Sequence, residues 1–445
     1  MQSKADIGRF IEDSDSELGI SSLAIDSIPI ELLVGIFKLS IHDNTHVEGV
    51  FRISQVCSHW RQATHNTPCL WTRPLRVDLR KGRPSQGVYL DGLSSWLGRS
   101  VPLPVNLTLL LGSSGISERI LEEILKISPR WQCLRLRVAE VLWRPPLSLA
   151  SLLAECRLDS LEKLDLGREA FSKDINLPAF PHFDNLPRLK SLTICIESSV
   201  VCMPWAQLTY LRLECDSPPD DALDTLAQCA NLAVASIHIS GWESGELTAH
   251  RDIITLTNLD TLFLAFSGLN KYVTPFFGCL AAPALATLTL DFSSMYSDMQ
   301  WTRACFVDFQ LRAPNITRLK IYFGDLTPED LTTALQHAPS LAELELKYCS
   351  FFDDAVVSAL YCEDVVKPLA PCLHYLVLHL IPKVLTADIL AGMLASRWWT
   401  DSELATRLDL PAVARWTYLK FTGFRGQLWD RMADLQREGL PIRLR

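Results

Sequence analysis

The sequence LAELELKYC at residues 341–349 is the clearest copy of a short phrase that reads apolar-x-x-apolar-x-apolar. The last two apolar positions alternate, so their side chains point to one face of a short strand. From about residue 100 onward the phrase recurs, and most copies begin 19 to 32 residues apart. Self-similarity at this period predicts a solenoid, in which each structural unit contacts its neighbours along the chain.

The copies keep the same order of apolar positions and differ in which side chains fill them. They are Trp131-Leu134-Leu136, Leu161-Leu164-Leu166, Leu189-Leu192-Ile194, Leu208-Leu211-Leu213, Leu259-Leu262-Leu264, Leu285-Leu288-Leu290, Ile316-Leu319-Ile321, Leu341-Leu344-Leu346, Leu373-Leu376-Leu378 and Trp416-Leu419-Phe421. Leu232-Ala235-Ile237 is a degraded copy within the series. An ordinary α/β domain whose strands share a pattern is the alternative, but so many copies in order favour the repeat array.

Helix-compatible stretches lie between the copies, for example at residues 220–229 and 327–336. Asp220 and Thr327 are good N-caps, and Pro328 suits a first helical turn, where its missing N–H costs nothing. One strand and one helix per unit predict an α/β fold with parallel strands and outer helices. This arrangement resembles the leucine-rich-repeat family. Only residues 341–349 complete the fuller Leu-x-x-Leu-x-Leu-x-x-Cys form, so we expect an irregular array.

A second signal precedes the array, in residues 28–71. The segment contains IPIELLVGIFKL at residues 28–39, FRISQVCSHWRQA at residues 51–63 and PCLW at residues 68–71. Two apolar helical stripes are predicted in it, Leu32, Leu33, Ile36 and Phe37 in the first and Val56, Trp60 and Ala63 in the second. So short a segment cannot bury this much apolar surface internally, and we expect some of it to meet a partner protein.

This segment resembles an F-box, because its elements occur in that family's order. They are Ile28-Pro29-Ile30-Glu31, Ile36-Phe37, the Val-Cys-x-x-Trp element at residues 56–60 and Leu70-Trp71. The gap from Ser40 to Val50 is longer than in compact F-boxes, which predicts an extended first loop. The resemblance implies three short helices that dock on a Skp-type adaptor and, through it, on the cullin of an SCF ubiquitin ligase. The adaptor-facing or F-box-core positions that it implies are Pro29, Leu32, Leu33, Ile36, Phe37, Val56, Cys57, Trp60 and Trp71.

These patterns divide the chain into four parts. We expect a disordered acidic tail at residues 1–22, an F-box at 23–72, a connector at 73–103 and the repeat array at 104–445. The stretches at residues 96–104 and 130–136 resemble the connector and first repeat of mushroom-type fungal F-box proteins. The combination implies a substrate-recognition subunit of an SCF-type ligase. The alternative is a scaffold that binds an adaptor outside any ligase.

Composition and motif searches narrow the classes of function. The net charge of −9 argues against nucleic acid as a partner. The 13 cysteines form no Cys-x-x-Cys pair, which argues against a zinc cluster and fits a reducing compartment, the cytoplasm or the nucleus. We find no signal peptide and no apolar run long enough to cross a membrane. No catalytic, nucleotide-binding or metal motif is assignable, so we predict a non-catalytic protein without a cofactor.

The strand residues between the leucines point to the opposite face of the sheet, where an unknown protein target can bind. Arg and aromatic side chains often dominate protein interfaces. The predicted target-binding residues are Tyr210, Arg212, Phe263, Arg318, Lys320, Tyr322, Glu343, Glu345, Tyr375 and Tyr418. The Arg318/Lys320 and Glu343/Glu345 rows put opposite charges on neighbouring strands, so cross-strand pairing that only stabilises the sheet is an equal alternative. An enzyme with an active site on this face is a further alternative, which clustered carboxylates or a metal would favour.

Overall fold

The computed structural model describes most of the chain. The described residues are 28–41, 46–80, 86–112, 116–138, 156–167, 186–194, 203–217, 219–240, 242, 251–268, 272–295, 300–362, 368–381, 385–406 and 412–445. They fall into two compact units. The first lies within Met1–Glu140 and Cys156–Leu161, and the second lies within Glu162–Arg445.

The first unit combines short helices with parallel strands. Its elements are α1 (Ile30–Ser40), α2 (His46–Ser54), α3 (Ser58–His65), a 3-10 turn (Pro68–Trp71), β1 (Leu75–Asp78), α4 (Gln86–Arg99), β2 (Val105–Leu111), α5 (Glu118–Leu125), a second 3-10 turn (Ser128–Arg130) and β3 (Trp131–Val138). β2 pairs with β1 and β3, and Leu107 is the register partner of Leu75 and of Leu134.

Trp71 is the centre of the first unit's core. Its indole is fully buried, and its Nε1–H donates a hydrogen bond to the carbonyl oxygen of Thr64 at 2.9 Å. Its ring contacts Trp96 of α4, with 4.7 Å between ring centres, and Phe51 of α2 at 5.9 Å. The guanidinium of Arg99 lies 4.7 Å from the Trp71 ring centre. The N-terminal helices and α4 therefore share one aromatic core.

Pro29 lies immediately before α1. The N-terminal helices differ from the sequence predictions at the start of α2. α2 begins at His46, so the extended loop that we predicted up to Val50 is too long. Val50 is fully buried. We attribute the early helix to this burial, because packing of an apolar side chain stabilises a short helix more than intrinsic propensity does.

The second unit alternates strands and helices. Its main sheet runs in the order β4 (Lys163–Asp165), β5 (Ser191–Ile194), β6 (Tyr210–Ser217), β7 (Val234–Ser240), β9 (Thr261–Gly268), β11 (Thr287–Met295), β12 (Arg318–Tyr322), β13 (Glu343–Lys347), β14 (Tyr375–His379), β15 (Tyr418–Thr422) and β16 (Ile442–Leu444). Each pair of neighbouring strands in this order is parallel. β8 (Ile254–Thr255) and β10 (Leu280–Ala281) form a separate parallel pair.

Helices lie between the strands of this unit. They are α6 (Pro219–Ala227), α7 (Pro275–Gly278), α8 (Arg303–Arg312), α9 (Pro328–Gln336), α10 (Asp354–Ala359), α11 (Ala387–Ser396), α12 (Asp401–Thr406) and α13 (Gln427–Arg437), with a 3-10 turn at Trp205–Gln207. From α7 to α11 each helix contacts the next, in the order of the strands. The prediction of a mixed α/β fold with a long parallel sheet is confirmed, and the arrangement is consistent with a solenoid.

Rows of leucines run across the second unit's sheet. Leu262, Leu288, Leu319, Leu344, Leu376 and Leu419 are successive register partners, and all are buried. The last apolar position of the phrase forms a parallel row, also buried, of Leu264, Leu290, Ile321, Leu346, Leu378 and Phe421. Each repeat of the phrase thus supplies one strand, and its apolar side chains line one side of the sheet.

The two helix starts read from the sequence have different outcomes. Thr327 caps α9 in a capping box with Asp330, and Pro328 occupies the first turn, as predicted. The prediction of Asp220 as an N-cap was wrong, because α6 begins one residue earlier, at Pro219. The Asp220 carboxylate instead forms an ion pair with Arg251 at 3.1 Å.

Four neighbouring strands are followed by a residue with left-handed backbone. These are Phe323, Tyr348, Leu380 and Gly423, with φ values of 57°, 54°, 49° and 83°. Each lies seven residues after the first apolar residue of its repeat. Glycine is favoured at the fourth position, because its φ is positive and a Cβ on Gly423 would clash with the Leu380 side chain.

We predict that Gly423→Ala destabilises the second unit more than Gly268→Ala does. Both glycines have positive φ, 83° and 87°, but a Cβ on Gly268 would meet nothing within 4 Å. Gly268→Ala should lower the free energy of unfolding by about 1 kcal/mol from backbone strain. Gly423→Ala adds the clash with Leu380 and should cost about 2–4 kcal/mol. Chemical denaturation of both variants measures the difference, and equal losses would show that the Leu380 contact is not restrictive.

Candidate functional site

An exposed apolar stripe runs along one face of α1. Leu32, Ile36 and Leu39 lie three or four residues apart, and Pro29 continues the line at the helix start. The exposed fractions of the three helical side chains are 63%, 49% and 85%. An apolar stripe of this size at solvent is typical of a surface that packs against another molecule.

The opposite face of α1 faces the interior of the first unit. Leu33 and Phe37 are buried, and the Phe37 ring lies 4.9 Å from the half-buried Trp60 ring. The four residues that we predicted as one stripe therefore belong to two faces. The structure sorts them because adjacent positions on a helix point about 100° apart.

The remaining predicted positions also separate by burial. Val56 lies before α3 rather than in it, and the Val56 side chain is exposed. The predicted helical stripe of Val56, Trp60 and Ala63 was therefore wrong. Cys57 is the N-cap of α3, where its Sγ accepts a hydrogen bond from the Trp60 backbone N–H at 3.4 Å. Trp71 is buried. Interior positions cannot contact a partner directly.

The exposed stripe has one member that the sequence reasoning missed. Leu39 lies seven residues after Leu32, and this helical spacing was the signal that could have identified it. The C-terminal end of α1 is held by Arg73, whose guanidinium donates hydrogen bonds to the carbonyl oxygens of Ile41 at 2.8 Å and Lys38 at 3.1 Å. The stripe is therefore presented by a helix that is anchored at its end.

A second candidate surface lies on the sheet of the second unit, opposite the leucine rows. The predicted target-binding residues occupy β6 (Tyr210 and Arg212), β9 (Phe263), β12 (Arg318, Lys320 and Tyr322), β13 (Glu343 and Glu345), β14 (Tyr375) and β15 (Tyr418). Those on β12 to β15 lie on adjacent strands in register. The residues on β6 and β9 are separated from them by at least β11.

Opposite charges on β12 and β13 pair directly. Arg318 Nε lies 3.0 Å from Glu343 Oε1, and Lys320 Nζ lies 3.2 Å from Glu345 Oε2. Glu345 also forms an ion pair with Lys347, with 2.7 Å between Oε1 and Nζ. The predicted charge complementarity between neighbouring strands is confirmed. The contacts of Arg318 with Glu343 and of Lys320 with Glu345 are cross-strand pairs of the kind that stabilise a sheet, whereas Lys347 and Glu345 lie on the same strand.

Glu345 is the electrostatic centre of this face. Burial alone would raise the pKa of Glu345, but the hydrogen bond from Lys347 and the attraction of Lys320 hold it below the ordinary value. Burial and the nearby Glu345 carboxylate raise the pKa of Tyr322, whose ring lies 4.3 Å from the Lys347 ammonium. On the next two strands the Tyr375 and Tyr418 rings stack with 4.5 Å between centres.

An apolar ledge that the sequence reasoning missed borders this face. We define the ledge as Phe323, Tyr348 and Leu380, whose side chains are 45%, 39% and 37% exposed. The Phe323 and Tyr348 rings stack at 4.3 Å. Their common spacing of seven residues from the start of each repeat was the available signal. In β9 and β11 the same position holds Phe266 and Phe292, which are buried.

The described residues contain no cluster of metal-ligating side chains. Within them no three His, Cys, Asp or Glu side chains come together as a metal site. In the same part of the chain no helix is long and apolar enough to cross a membrane.

We predict that Glu345→Gln lowers the stability of the second unit at neutral pH by about 1–2 kcal/mol, because it leaves Lys320 and Lys347 without their carboxylate. The folded-state pKa of Glu345 lies below the ordinary value of 4.5. Its contribution is therefore present above that value and is lost as the pH falls through the folded-state pKa. Urea unfolding of the variant and the parent should differ at pH 7 and converge as the pH falls below 4.5 and through the lowered pKa of Glu345. A difference that stays constant with pH would contradict this, and Asp252→Asn at an exposed position is the control.

A known family matches the N-terminal part of the chain. The family model described as F-box-like matches residues 25–77. None of the curated proteins matches the chain significantly. The matched residues include α1 to α3 and the turn that ends at Trp71, so the exposed stripe of α1 lies inside them. This match supports an F-box protein.

Proposed function

We propose that this chain is the substrate-recognition subunit of an SCF-type cullin ubiquitin ligase. Its F-box-like helices bind a Skp-type adaptor, through which the cullin is joined, and its parallel repeat array binds a protein target. The chain itself is non-catalytic and needs no cofactor. Its contribution is proximity, since it holds a target lysine near the ubiquitin-loaded enzyme. The exposed stripe of α1 inside the F-box-like match is the observation that carries the proposal.

The chemistry of the stripe fits a protein partner with an apolar groove. Leu32, Ile36 and Leu39 are anchors at the spacing that a helix uses when it lies in such a groove. Leu33 and Phe37 on the other face keep the helix on its own unit. Of the predicted adaptor-binding positions, Pro29, Leu32, Ile36 and Val56 are the direct contacts in this proposal. Leu33, Phe37 and Trp71 act instead as the core that positions them.

The connector supports the interpretation as an F-box protein joined to repeats. The guanidinium of Arg130, just before β3, donates hydrogen bonds to the carbonyl oxygen of Leu103 at 2.6 Å and to Ser100 Oγ at 2.7 Å. Trp96, in the same connector, packs on Trp71. These residues lie in the stretches that resemble mushroom-type fungal F-box proteins. We infer that this stretch is the physical link between the helices and the first strands.

The interior of the second unit supports a leucine-rich-repeat interpretation. Cys349 occupies the last position of the fuller repeat form, and its thiol donates a hydrogen bond to the carbonyl oxygen of Ile321 at 3.3 Å. Burial raises the pKa of this thiol to about 12, which favours a structural role over a reactive one. The cysteines that the structure describes are free, which fits a reducing compartment such as the cytoplasm or nucleus.

We predict that Pro29→Ala combined with Ile36→Asp abolishes copurification of a Skp-type adaptor. A carboxylate in the stripe must lose its water at an apolar interface, so binding should weaken at least about 100-fold. The unfolding midpoint should change little, because Ile36 is half exposed. Val88→Asp is the matched control, since Val88 is 74% exposed on α4 of the same unit.

Retained adaptor binding by the double variant would reject the adaptor assignment. The same pulldown should recover a cullin with the parent chain. Recovery of the adaptor without a cullin would favour the scaffold outside a ligase.

We also predict that substitution of two adjacent residues of α1 affects different properties, stability at Phe37 and adaptor binding at Ile36. Phe37→Ala should lower the free energy of unfolding of the first unit by about 3–5 kcal/mol, because it empties a buried site. Ile36→Ala should cost less than about 1 kcal/mol and yet weaken adaptor binding. Denaturant unfolding and adaptor titration of both variants check the division. Equal destabilisation would mean that Ile36 also belongs to the core.

A further inference from the structure

The apolar ledge is a feature that the fold does not require. Left-handed backbone is the natural conformation of glycine, and Gly423 occupies the equivalent position after β15. Phe323, Tyr348 and Leu380 adopt it at a cost in strain after the three preceding strands. Bulky residues held in such conformations are concentrated at binding sites, where the strain holds a side chain in a useful position. The ledge keeps three apolar side chains partly in solvent.

The end of the sheet face formed by β12 to β16 is basic. On this side of β12 to β16 there are five cationic side chains and two carboxylates. The cations are Arg318, Lys320, Lys347, Lys420 and Arg443, and the carboxylates are Glu343 and Glu345. The carboxylates are engaged by the first three cations. Among the described residues no carboxylate lies within ion-pair distance of Lys420 or Arg443. The whole chain has a net charge of −9, so this end of the face is opposite in sign to the protein.

His379 connects the ledge to the uncompensated cations. Its ring contacts the Tyr348 ring, with 5.6 Å between centres. Burial lowers the pKa of His379, and Lys347 and Lys420 lower it further, while Glu345 opposes them. The positive charge of Lys420 thus reaches the edge of the ledge, beside the ion pair of Lys347 with Glu345.

The register sets the spacing of these groups. Val377 of β14 pairs with Lys420 of β15, and His379 pairs with Thr422. With strands about 4.8 Å apart and a rise of about 3.3 Å per residue, the Cα atoms of His379 and Lys420 lie about 8 Å apart. An extended peptide covers that distance in about three residues.

We propose that the ledge and the basic face beside it bind an acidic segment of the target protein. An apolar side chain of that segment packs on Phe323, Tyr348 and Leu380, and Asp or Glu side chains within about three positions reach Lys420 and Arg443. This inference rests on the proposed function, because it names the chemistry of the target that the array would hold. Charge complementarity favours this occupant over a basic segment or a second copy of this acidic chain.

The test uses the full-length chain and a short fluorescein-labelled peptide with a leucine followed by Asp and Glu residues. Fluorescence polarisation should show binding that weakens as salt rises, because exposed charges are screened. Two matched peptides, one with Lys for the acids and one with Ser for the leucine, should bind about tenfold more weakly or worse. Absence of binding by the acidic peptide would overturn the proposal, and so would equal binding of the lysine peptide.

Two variants of the chain test whether the acidic peptide binds at the ledge and at Lys420. Phe323→Gly with Tyr348→Gly should weaken the acidic peptide at least about tenfold, while glycine relieves the backbone strain and preserves the unfolding midpoint. Lys420→Glu is the second variant, which leaves the ledge intact and should weaken the same peptide at least about tenfold. The controls are Leu311→Ser, at an exposed apolar side chain on α8, and Lys190→Glu, at an exposed lysine before β5.

Undiminished binding by both variants would overturn the assignment to this surface. A glycine variant that unfolds, together with a Lys420→Glu variant that binds normally, would also overturn it. Concentration-dependent dimerisation that the ledge variant abolishes would assign the surface to a second copy instead.

Adaptor binding is measured on the same preparations. A parent chain that binds the adaptor but not the acidic peptide refutes the inference and leaves the proposed function standing. A chain that binds the peptide at the ledge but no adaptor refutes the proposed function and retains the acidic specificity of the surface.

Discussion

The in-register leucine rows are the constraint on which the second unit depends. In a parallel sheet a shift of one residue would turn every leucine of a strand towards solvent, so burial of the rows fixes the register of all neighbouring strands. Once Leu288, Leu319 and Leu344 are aligned, the residues between them must also align on the other face. The ion pair between Arg318 and Glu343 is a consequence of that alignment. The core of the sheet thus positions its surface.

The first unit is organised by a different contact, the aromatic cluster around Trp71. Trp71 joins the N-terminal helices to α4 and leaves the outer face of α1 without cover. The F-box-like helices and the connector therefore form one packed body instead of a mobile appendage. A rigid α1 stripe suits the binding of the proposed adaptor, because an interface that is already ordered loses less conformational entropy on binding.

The two candidate surfaces differ in chemistry, and the difference matches the partners that we propose for them. The stripe on α1 is apolar, as expected for a stable subunit contact that stays covered. The face of β12 to β16 combines stacked aromatic rings with charges, as expected for a surface that is exposed to water between encounters with a target. The ion pairs centred on Glu345 order the long side chains of this face before any partner arrives.

The sequence by itself determined the strands that carry a copy of the apolar phrase, the parallel α/β class and the F-box-like segment, because each follows from periodic or ordered local patterns. It also identified the charge pairing of β12 with β13, since equal spacing within two repeats implies equal register. Only the tertiary structure decided that Leu33 and Phe37 are interior while Leu32 and Leu39 are exposed, because adjacent helical positions are all apolar here. Likewise the exposure of Phe323 and Tyr348, against the burial of Phe266 and Phe292, depends on backbone conformation and packing across strands. The sequence alone does not distinguish an apolar residue that its neighbours bury from one that they leave exposed.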